Sequence, residues 1–292
     1  MDIGQTKQLN YLNVHLVGIL RTKSLTPASN AIKAIHTAFD AGAEAVEITS
    51  NSDYWQEILS GCVKAKLNIG VGSVKNENVA REAINLGARF LVSPGFFEDT
   101  IAVANEHRIP ILPGVFTEPN FKQAIELKIA DTKFFPAHVK THEELFKAIR
   151  EPFRDEFDEL IKKGWKIVPF STQSSENTIK SPTQFYKLYL KAKDQKPDSV
   201  IVVKLPDGKS GFERMKDFSD QARTHGIRTY AVGGVNDKNM KEVFTKYNAY
   251  GVCPGSGMFN SEAIFNGDYE RVKTDVSRHV AVIKEVFSRK SV

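Results

Sequence analysis

A lysine stands in the middle of a short, mostly apolar segment, DTKFFPA at residues 131–137. The segment is typical of a buried strand, and burying an ammonium group without a partner is costly. Loss of water favours the neutral amine and lowers its pKa, and a neutral amine in a dry pocket can attack a ketone to form a Schiff base. The alternative is a lysine at a strand edge whose amine reaches water. We predict that Lys133 is a nucleophile.

A second apolar segment, AVEIT at 45–49, also carries one ionisable residue, Glu47. A carboxyl group among apolar neighbours has a raised pKa, which suits acid/base chemistry near neutral pH. The alternative is a carboxylate that leaves the open end of its strand and points into water. Side chains that point into a barrel from different strands converge, so Glu47 is the candidate proton shuttle for Lys133.

Glycine-rich loops end two apolar segments near the C-terminus, VGGV at 232–235 and PGSG at 254–257. Such loops let backbone N–H groups approach a phosphate, although each could also be an ordinary tight turn. A third stretch, GVGSV at 70–74, lacks the lysine of a P-loop and is interpreted as a strand end that lines the substrate. The candidate phosphate-binding residues are Gly233, Gly234, Gly255, Ser256 and Gly257.

Several other strand ends carry residues that could hold a ligand. Arg21 closes the segment VGILR, and its guanidinium could bind a carboxylate at two points, or it could be a surface arginine. The stretches SPG at 93–95 and PG at 113–114 would leave shaped strand ends that face a pocket, and Thr117 follows the second. The candidate ligands for a keto acid are Arg21, Ser73, Pro94 and Thr117. His138 is the one histidine placed near these groups by its position in the chain.

Short apolar runs alternate with helix-period segments along most of the chain. Predicted strands cover residues 14–20, 45–48, 67–74, 90–92, 109–115, 132–135, 229–235 and 251–254. Predicted helices include residues 28–41, 77–86, 98–106 and 120–127. This βα repeat predicts an α/β fold with a parallel sheet covered by helices, and eight strands favour a closed (β/α)8 TIM barrel over an open doubly wound sheet. Residues before 14 leave room for a short helix across the barrel floor.

Residues 138–208 interrupt this repeat, because they are too many for one helix between neighbouring strands. The region is expected to hold a charged helix at 141–163, a strand at 165–170, a polar loop at 171–183, a helix at 185–193 and a strand at 199–205. We interpret residues 1–137 and 209–292 as the barrel and 138–208 as an insertion after strand six. The insertion could be a lid, a specificity element or an assembly surface, or part of it could supply a barrel strand.

Lys204 is a second strand-end lysine and competes for the nucleophile role. Lys133 is favoured because one helix and one turn separate it from the preceding strand, as the repeat requires.

The bulk composition narrows the class of protein. The 292 residues carry a mild net charge of +5 with acidic and basic residues interleaved, which suits an anionic substrate and does not indicate nucleic-acid binding. Cys62 and Cys253 have no metal-ligand spacing, so no metal is expected. Neither an apolar signal segment nor a run long enough to span a membrane is found, so we expect a soluble cytoplasmic protein.

Taken together, these motifs resemble the class I aldolases of the 2-dehydro-3-deoxy-phosphogluconate (KDPG) and 4-hydroxy-2-oxoglutarate (KHG) family. The matching pieces stand in the family's order: GILR at 18–21, AGAEAVE at 41–47, GVGSV at 70–74, SPG at 93–95, PG at 113–114 and KFFPA at 133–137. With the two C-terminal glycine loops, the resemblance covers roughly residues 1–137 and 212–285.

The resemblance implies a lyase that acts without metal or cofactor. Lys133 would form the Schiff base and Glu47 would shuttle protons. The substrate would be a small 2-keto-3-deoxy sugar acid, cleaved to pyruvate and an aldehyde such as glyceraldehyde 3-phosphate. Members of the family are TIM barrels and commonly homotrimers.

The sequence departs from the common family pattern at two places. Asn51 stands where many KDPG aldolases carry an arginine that binds the pyruvate carboxylate, whereas the 6-phosphogalactonate branch has an Asn-Ser there, as this chain does. Asn51 is therefore a further substrate-binding candidate, and Arg21 becomes the better carboxylate partner. The insertion is absent from the common family, so it leaves the aldehyde partner and the assembly open.

Two other functions fit parts of the pattern. A phosphate-binding barrel of the sugar-phosphate epimerase or thiamine-phosphate synthase type could share the glycine loops, but it would give Lys133 and Glu47 no role. Alternatively, the insertion could have turned an aldolase scaffold into a non-catalytic binding or assembly protein.

Overall fold

The computed structural model of the protein describes residues 12–169, 177–197, 200–206 and 209–288. Its strands are β1 Val17–Leu20, β2 Ala45–Thr49, β3 Ile69–Gly72, β4 Leu91–Val92, β5 Ile111–Leu112, β6 Gly114–Val115, β7 Asp131–Phe134, β8 Lys166–Val168, β9 Thr178–Ile179, β10 Val200–Val203, β11 Arg228–Val232 and β12 Gly251–Cys253. Its helices are α1 Ala28–Asp40, α2 Trp55–Lys64, α3 Glu77–Asn85, α4 Glu98–Glu106, α5 Glu118–Glu126, α6 His142–Arg150, α7 Arg154–Lys162, α8 Pro182–Ala192, α9 Gly211–Thr224, α10 Met240–Thr245, α11 Ser261–Asn266 and α12 Tyr269–Ser288.

Nine of these strands close into a parallel barrel with eight strand positions. Strands β1 to β5 pair in chain order, and β6, β7, β11 and β12 pair in a second run. The runs join where Leu16 bridges Val252, and where β5 continues into β6 across Pro113, which has no N–H to keep one strand regular. The predicted (β/α)8 barrel is confirmed. The predicted strand 109–115 is divided into two short strands, β5 and β6, which together occupy one strand position of the barrel.

The barrel interior is filled by side chains from alternate strand positions, as the two-residue period of a strand requires. Val17, Ala45, Phe90, Leu112 and Tyr230 belong to this inner cluster. Glycines make room for the large rings, because a Cβ at position 70 would overlap the Phe90 ring and one at position 251 would overlap the Tyr230 ring. The lower interior is therefore solid, and open space remains at the C-terminal ends of the strands.

An ion pair closes the other end of the barrel. The Arg228 guanidinium donates to both carboxylate oxygens of Asp131 at 2.6 and 2.8 Å, and the backbone N–H of Leu12 donates to the same carboxylate at 2.7 Å. The helix expected across the floor before residue 14 falls largely on residues 1–11, which lie outside the described part of the chain.

A second, smaller layer lies between β7 and β11 in the chain. Strands β8, β10 and β9 form a separate three-stranded parallel sheet flanked by α6, α7 and α8. The ends of this region meet, since the Gly211 N–H donates to the Val139 carbonyl at 2.7 Å. The barrel then resumes with α9, which begins at a reciprocal capping box of Ser210 and Glu213. The boundaries 138–208 stay a prediction.

Two local expectations for this layer were wrong. The predicted single helix 141–163 is two helices, α6 and α7, because Pro152 falls in its middle and removes a helical donor. The expected loop 171–183 contains strand β9 and the start of α8, whereas its residues 171–176 lie outside the described part. In the described ranges, no helix is both long and apolar enough to cross a membrane.

Candidate functional site

A pocket of about 600 Å³ opens at the C-terminal ends of the barrel strands. This is the face on which TIM barrels place their active sites. Most of the candidate residues from the sequence line it: Lys133, Glu47, Arg21, Ser73, Pro94, Gly233, Gly234, Gly255, Ser256 and Gly257.

Lys133 lies in β7 with its side chain inside the barrel. The residue is 5% exposed, and its Nζ lies 4.9 Å from the centroid of the Phe135 ring. Loss of water lowers the pKa of this amine, and the nearby Glu47 carboxylate opposes that shift. The strand thus presents an amine to the pocket whose neutral form is favoured by its surroundings.

Glu47 lies on β2 and faces the same pocket. It is 1% exposed, and burial raises the pKa of its carboxyl group, with Lys133 and Arg21 opposing the rise. Its Oε2 has no hydrogen-bond partner among the described residues. Gly72 on the neighbouring strand makes room for this carboxyl group, because a Cβ there would overlap Glu47 Oε1. The carboxyl group is therefore held in the lining of the pocket with one buried oxygen unpaired.

Arg21 follows β1 and reaches over the pocket. Its guanidinium forms an ion pair with Glu151 at 2.6 Å and donates to the Ser73 hydroxyl at 3.5 Å. Burial lowers the pKa of Arg21, and the charges of Glu151 and Glu47 oppose this effect. Because an arginine keeps its proton under ordinary conditions, the pocket holds a fixed positive charge close to the Glu47 carboxyl group.

The turn between α6 and α7 forms a roof over this pocket, and the sequence analysis missed it. Glu151, Pro152 and Arg154 line the cavity together with the barrel residues. The signal that could have identified them is the proline at 152 inside a predicted charged helix, since a break there places Glu151 between two helices and Arg154 at the start of the second. Their position over the barrel depends on tertiary packing and has no local signature.

The two glycine loops form one wall of the pocket. Gly233 and Gly234 have φ angles of 93° and 67°, which only glycine adopts without strain, and a Cβ at 234 would overlap His138. Burial lowers the pKa of the His138 ring. Gly255 faces open space, and a Cβ there would lie 4.0 Å from Ile19. These loops expose backbone to the pocket, which is what a phosphate would require.

Thr117 and Asn51 are not among the residues that line the pocket, so their predicted roles need correction. Thr117 stands at the start of α5, where its hydroxyl donates to the Asn120 side chain at 3.0 Å, and it lines a different cavity of about 880 Å³. Asn51 donates to the Glu151 carbonyl at 3.5 Å, so it contacts the roof.

Lys204 is exposed at the end of β10 in the second sheet and is absent from the lining of this pocket. It does not compete with Lys133 there.

Cys253, which was considered only as a metal ligand, lines the pocket beside Lys133, and burial raises the pKa of its thiol well above the usual value. No cluster of three or more metal-ligating side chains occurs in the described ranges.

Comparison with known proteins points to one family. The family model for KDPG and KHG aldolase matches residues 11–157. The 2-dehydro-3-deoxy-phosphogluconate aldolase of Treponema pallidum is 27% identical over 139 residues, which cover 47% of this chain and 66% of that protein. The KHG/KDPG aldolase of Escherichia coli K12 is 27% identical over 140 residues, which cover 47% of this chain and 64% of that protein. The chain thus spans just under two thirds of the length of these relatives.

Solved structures extend the likeness to nearly the whole chain. A native KDPGal structure matches with a TM-score of 0.64 at 18% identity, and covers 96% of this chain and 99% of its own. The KDPG aldolase of Legionella pneumophila, solved with pyruvate captured as a covalent carbinolamine intermediate, matches with a TM-score of 0.56 at 17% identity, and covers 90% of this chain and 92% of its own. At such identities these matches show the fold. The family model covers half of the chain, residues 11–157, which include β1 to β7, and the chain belongs to the KDPG and KHG aldolase family.

Proposed function

We propose that this protein is a class I aldolase that cleaves a 2-keto-3-deoxy sugar acid to pyruvate and an aldehyde. The observation that carries the proposal is the placement of two buried ionisable groups, Lys133 and Glu47, in the lining of one pocket at the C-terminal end of the barrel. An amine and a carboxyl group that are both buried away from solvent form the pair that Schiff-base chemistry needs.

The proposed reaction begins at the amine. The neutral Nζ of Lys133 attacks the 2-keto carbon, and the proton that the nitrogen loses passes to the keto oxygen, which becomes the hydroxyl of a carbinolamine. Glu47 donates a proton to that hydroxyl, which leaves as water and produces the iminium ion. Glu47, now a carboxylate, accepts the C4 hydroxyl proton as the C3–C4 bond breaks. The bonding electrons move into the iminium to form an enamine, and the aldehyde departs.

The last steps return the enzyme to its starting state. The enamine takes a proton at C3 from Glu47 and becomes the pyruvate iminium. Water then adds to the imine carbon and gives a proton to the Glu47 carboxylate, which forms a second carbinolamine. The hydroxyl proton of this carbinolamine passes to the nitrogen as the C–N bond breaks, so pyruvate leaves and both Lys133 and Glu47 regain their starting forms. Glu47 would carry these transfers because it lines the same pocket as Lys133.

The substrate side of the proposal follows from charge and shape. The Arg21 guanidinium, with Ser73 beside it, is the group that would hold the keto-acid carboxylate. The glycine loops, with Ser256, would hold a distal phosphate. We therefore propose a 6-phosphorylated substrate of the KDPG or 6-phosphogalactonate type. The Escherichia coli 2-dehydro-3-deoxy-6-phosphogalactonate aldolase is 30% identical over 125 residues, which cover 42% of this chain and 60% of that protein. For this reason, both C4 epimers of the substrate are tested.

The experiment is a pyruvate-release assay with the two C4 epimers of the phosphorylated acid and with their unphosphorylated forms. The proposal expects turnover of at least one phosphorylated epimer, and no turnover by a folded Lys133→Met variant. Full activity of that variant would favour the epimerase or synthase type of barrel. No release from any of these acids by the wild-type protein would favour the non-catalytic alternative.

The assembly is part of the same proposal. We infer a homo-oligomer, and a trimer in particular, from the family resemblance. A cube-shaped cage designed by fusing symmetric oligomeric domains has a chain that matches this one with a TM-score of 0.63 at 19% identity, covering 95% of this chain and 75% of its own. Sedimentation of the purified protein decides the point, since a monomer at catalytic concentration would contradict it.

A further inference from the structure

The roof turn, residues 151–154, is held firmly over the pocket. Phe153 is fully buried and packs against the rings of Phe185 and Tyr186. Lys75, which follows β3, donates to the Pro152 carbonyl at 3.5 Å and forms an ion pair with Glu156 in the first turn of α7. The barrel therefore fixes the backbone of the roof turn from below, while the second layer packs on it from above.

The Glu151 side chain forms an ion pair with the Arg21 guanidinium, the same group that a substrate carboxylate would bind. Its Oε1 lies 2.6 Å from an Arg21 nitrogen. The two partners differ in exposure, since the Arg21 side chain is 23% exposed and that of Glu151 is 62% exposed. The arginine is thus held inside the pocket, whereas the glutamate can turn into water without moving the backbone.

We propose that Glu151 is an internal competitor for the substrate carboxylate at Arg21. Two carboxylates on one guanidinium repel each other, so the keto acid binds as Glu151 leaves. Glu151 comes from the second layer, so the roof turn acts as a specificity element. A ligand binds only if its carboxylate is held by Arg21 strongly enough to displace Glu151. This inference rests on the proposed function, because it assumes that the keto-acid carboxylate goes to Arg21.

The test is a pyruvate titration of borohydride trapping, read as the mass increase on Lys133. Glu151→Gln removes the competing charge and keeps the shape, so the pyruvate concentration for half-maximal trapping should fall about threefold to tenfold. Glu143→Gln is the matched control, because Glu143 is an exposed residue on α6 that is absent from the pocket lining. It should leave the half-maximal concentration unchanged.

A second pair of proteins separates the contact from long-range charge. In an Arg21→Gln background, Glu151→Gln should no longer improve pyruvate binding, since the shared guanidinium is gone. An equal improvement in both backgrounds would overturn the inference, as would an unchanged or higher half-maximal concentration for Glu151→Gln alone. Failure of the proposed function has a different signature, which is the absence of any trapped adduct in the wild-type protein at saturating pyruvate.

Discussion

At the scale of single residues, the site works by removing water from an amine and a carboxyl group. Desolvation lowers the pKa of Lys133 and raises that of Glu47, and each group partly offsets the shift of the other. Both were identifiable from the sequence, because each is the one ionisable residue near the middle of an apolar strand. The Glu151–Arg21 contact was not identifiable, because it joins residues 130 positions apart through the packing of an added layer.

The pKa of Lys133 predicts the pH dependence of adduct formation. Nucleophilic attack needs the neutral amine, so the trapping rate at saturating pyruvate should rise with pH and level off below the range in which an ordinary lysine loses its proton. Glu47→Gln removes a charge that raises this pKa, so the plateau should begin at a still lower pH, although the plateau rate itself falls. Trapping that rises only in the range of a free lysine amine would contradict the burial effect. A lysine-containing peptide serves as the control.

Gly72 predicts a sterically selective loss of activity. A methyl group at this position would overlap Glu47 Oε1, so Gly72→Ala should displace the carboxyl group and reduce turnover by about a hundredfold, in the range expected for loss of an acid/base catalyst. Turnover is compared with that of Glu47→Gln, and thermal unfolding confirms that the fold persists. Near wild-type turnover in a folded Gly72→Ala protein would show that the position of Glu47 is not critical.

At the scale of elements, the strands of the barrel were predictable and the roof was not. The alternation of short apolar runs with helix-period segments identified the βα units, since that pattern is local. Thr117 was misplaced because a residue after a strand can line the pocket or begin the next helix, and here it begins α5. The sequence Thr-Glu-Pro at 117–119 is a helix-start signal that favours the second outcome.

The Lys75–Glu156 ion pair predicts how strongly the roof is anchored. Both side chains are largely buried, so Lys75→Met leaves a carboxylate without its partner and should lower the free energy of unfolding by about 3 kcal/mol. Adding Glu156→Leu should recover much of that loss. Denaturant unfolding measures both, with Lys216→Met as the control, because its pair with Asp220 lies on the surface and should contribute nothing measurable. Equal effects of Lys75→Met and Lys216→Met would show that the roof is not anchored by this pair.

At the scale of the whole molecule, the protein is a closed barrel carrying a second layer on its catalytic face. The layer leaves after Val139 and returns at Gly211, and these two residues are hydrogen-bonded to each other. That the βα repeat is interrupted after β7 was readable from the sequence, whereas the boundaries 138 and 208 stay a prediction. Where the layer rests was not readable, because that depends on contacts such as the Phe96 N–H with the Thr183 hydroxyl, at 2.9 Å.

The two ends of the second layer, Val139 and Gly211, lie next to each other, so we expect that the layer can be removed. Replacing residues 141–208 with a short glycine linker should leave a folded barrel that still traps pyruvate on Lys133, because Lys133 and Glu47 both belong to barrel strands. Pyruvate should also bind more tightly, since Glu151 is removed with the layer. Circular dichroism and the trapping titration check the two parts. A protein that folds but has lost all trapping would show that the layer supplies part of the catalytic machinery.

The most direct test of the whole account is the mass of the peptide that contains Lys133 after the protein is treated with pyruvate and borohydride. The account predicts one reduced pyruvyl adduct per chain on Lys133, and none on Lys204. An unmodified Lys133, or an adduct confined to another lysine, would contradict it.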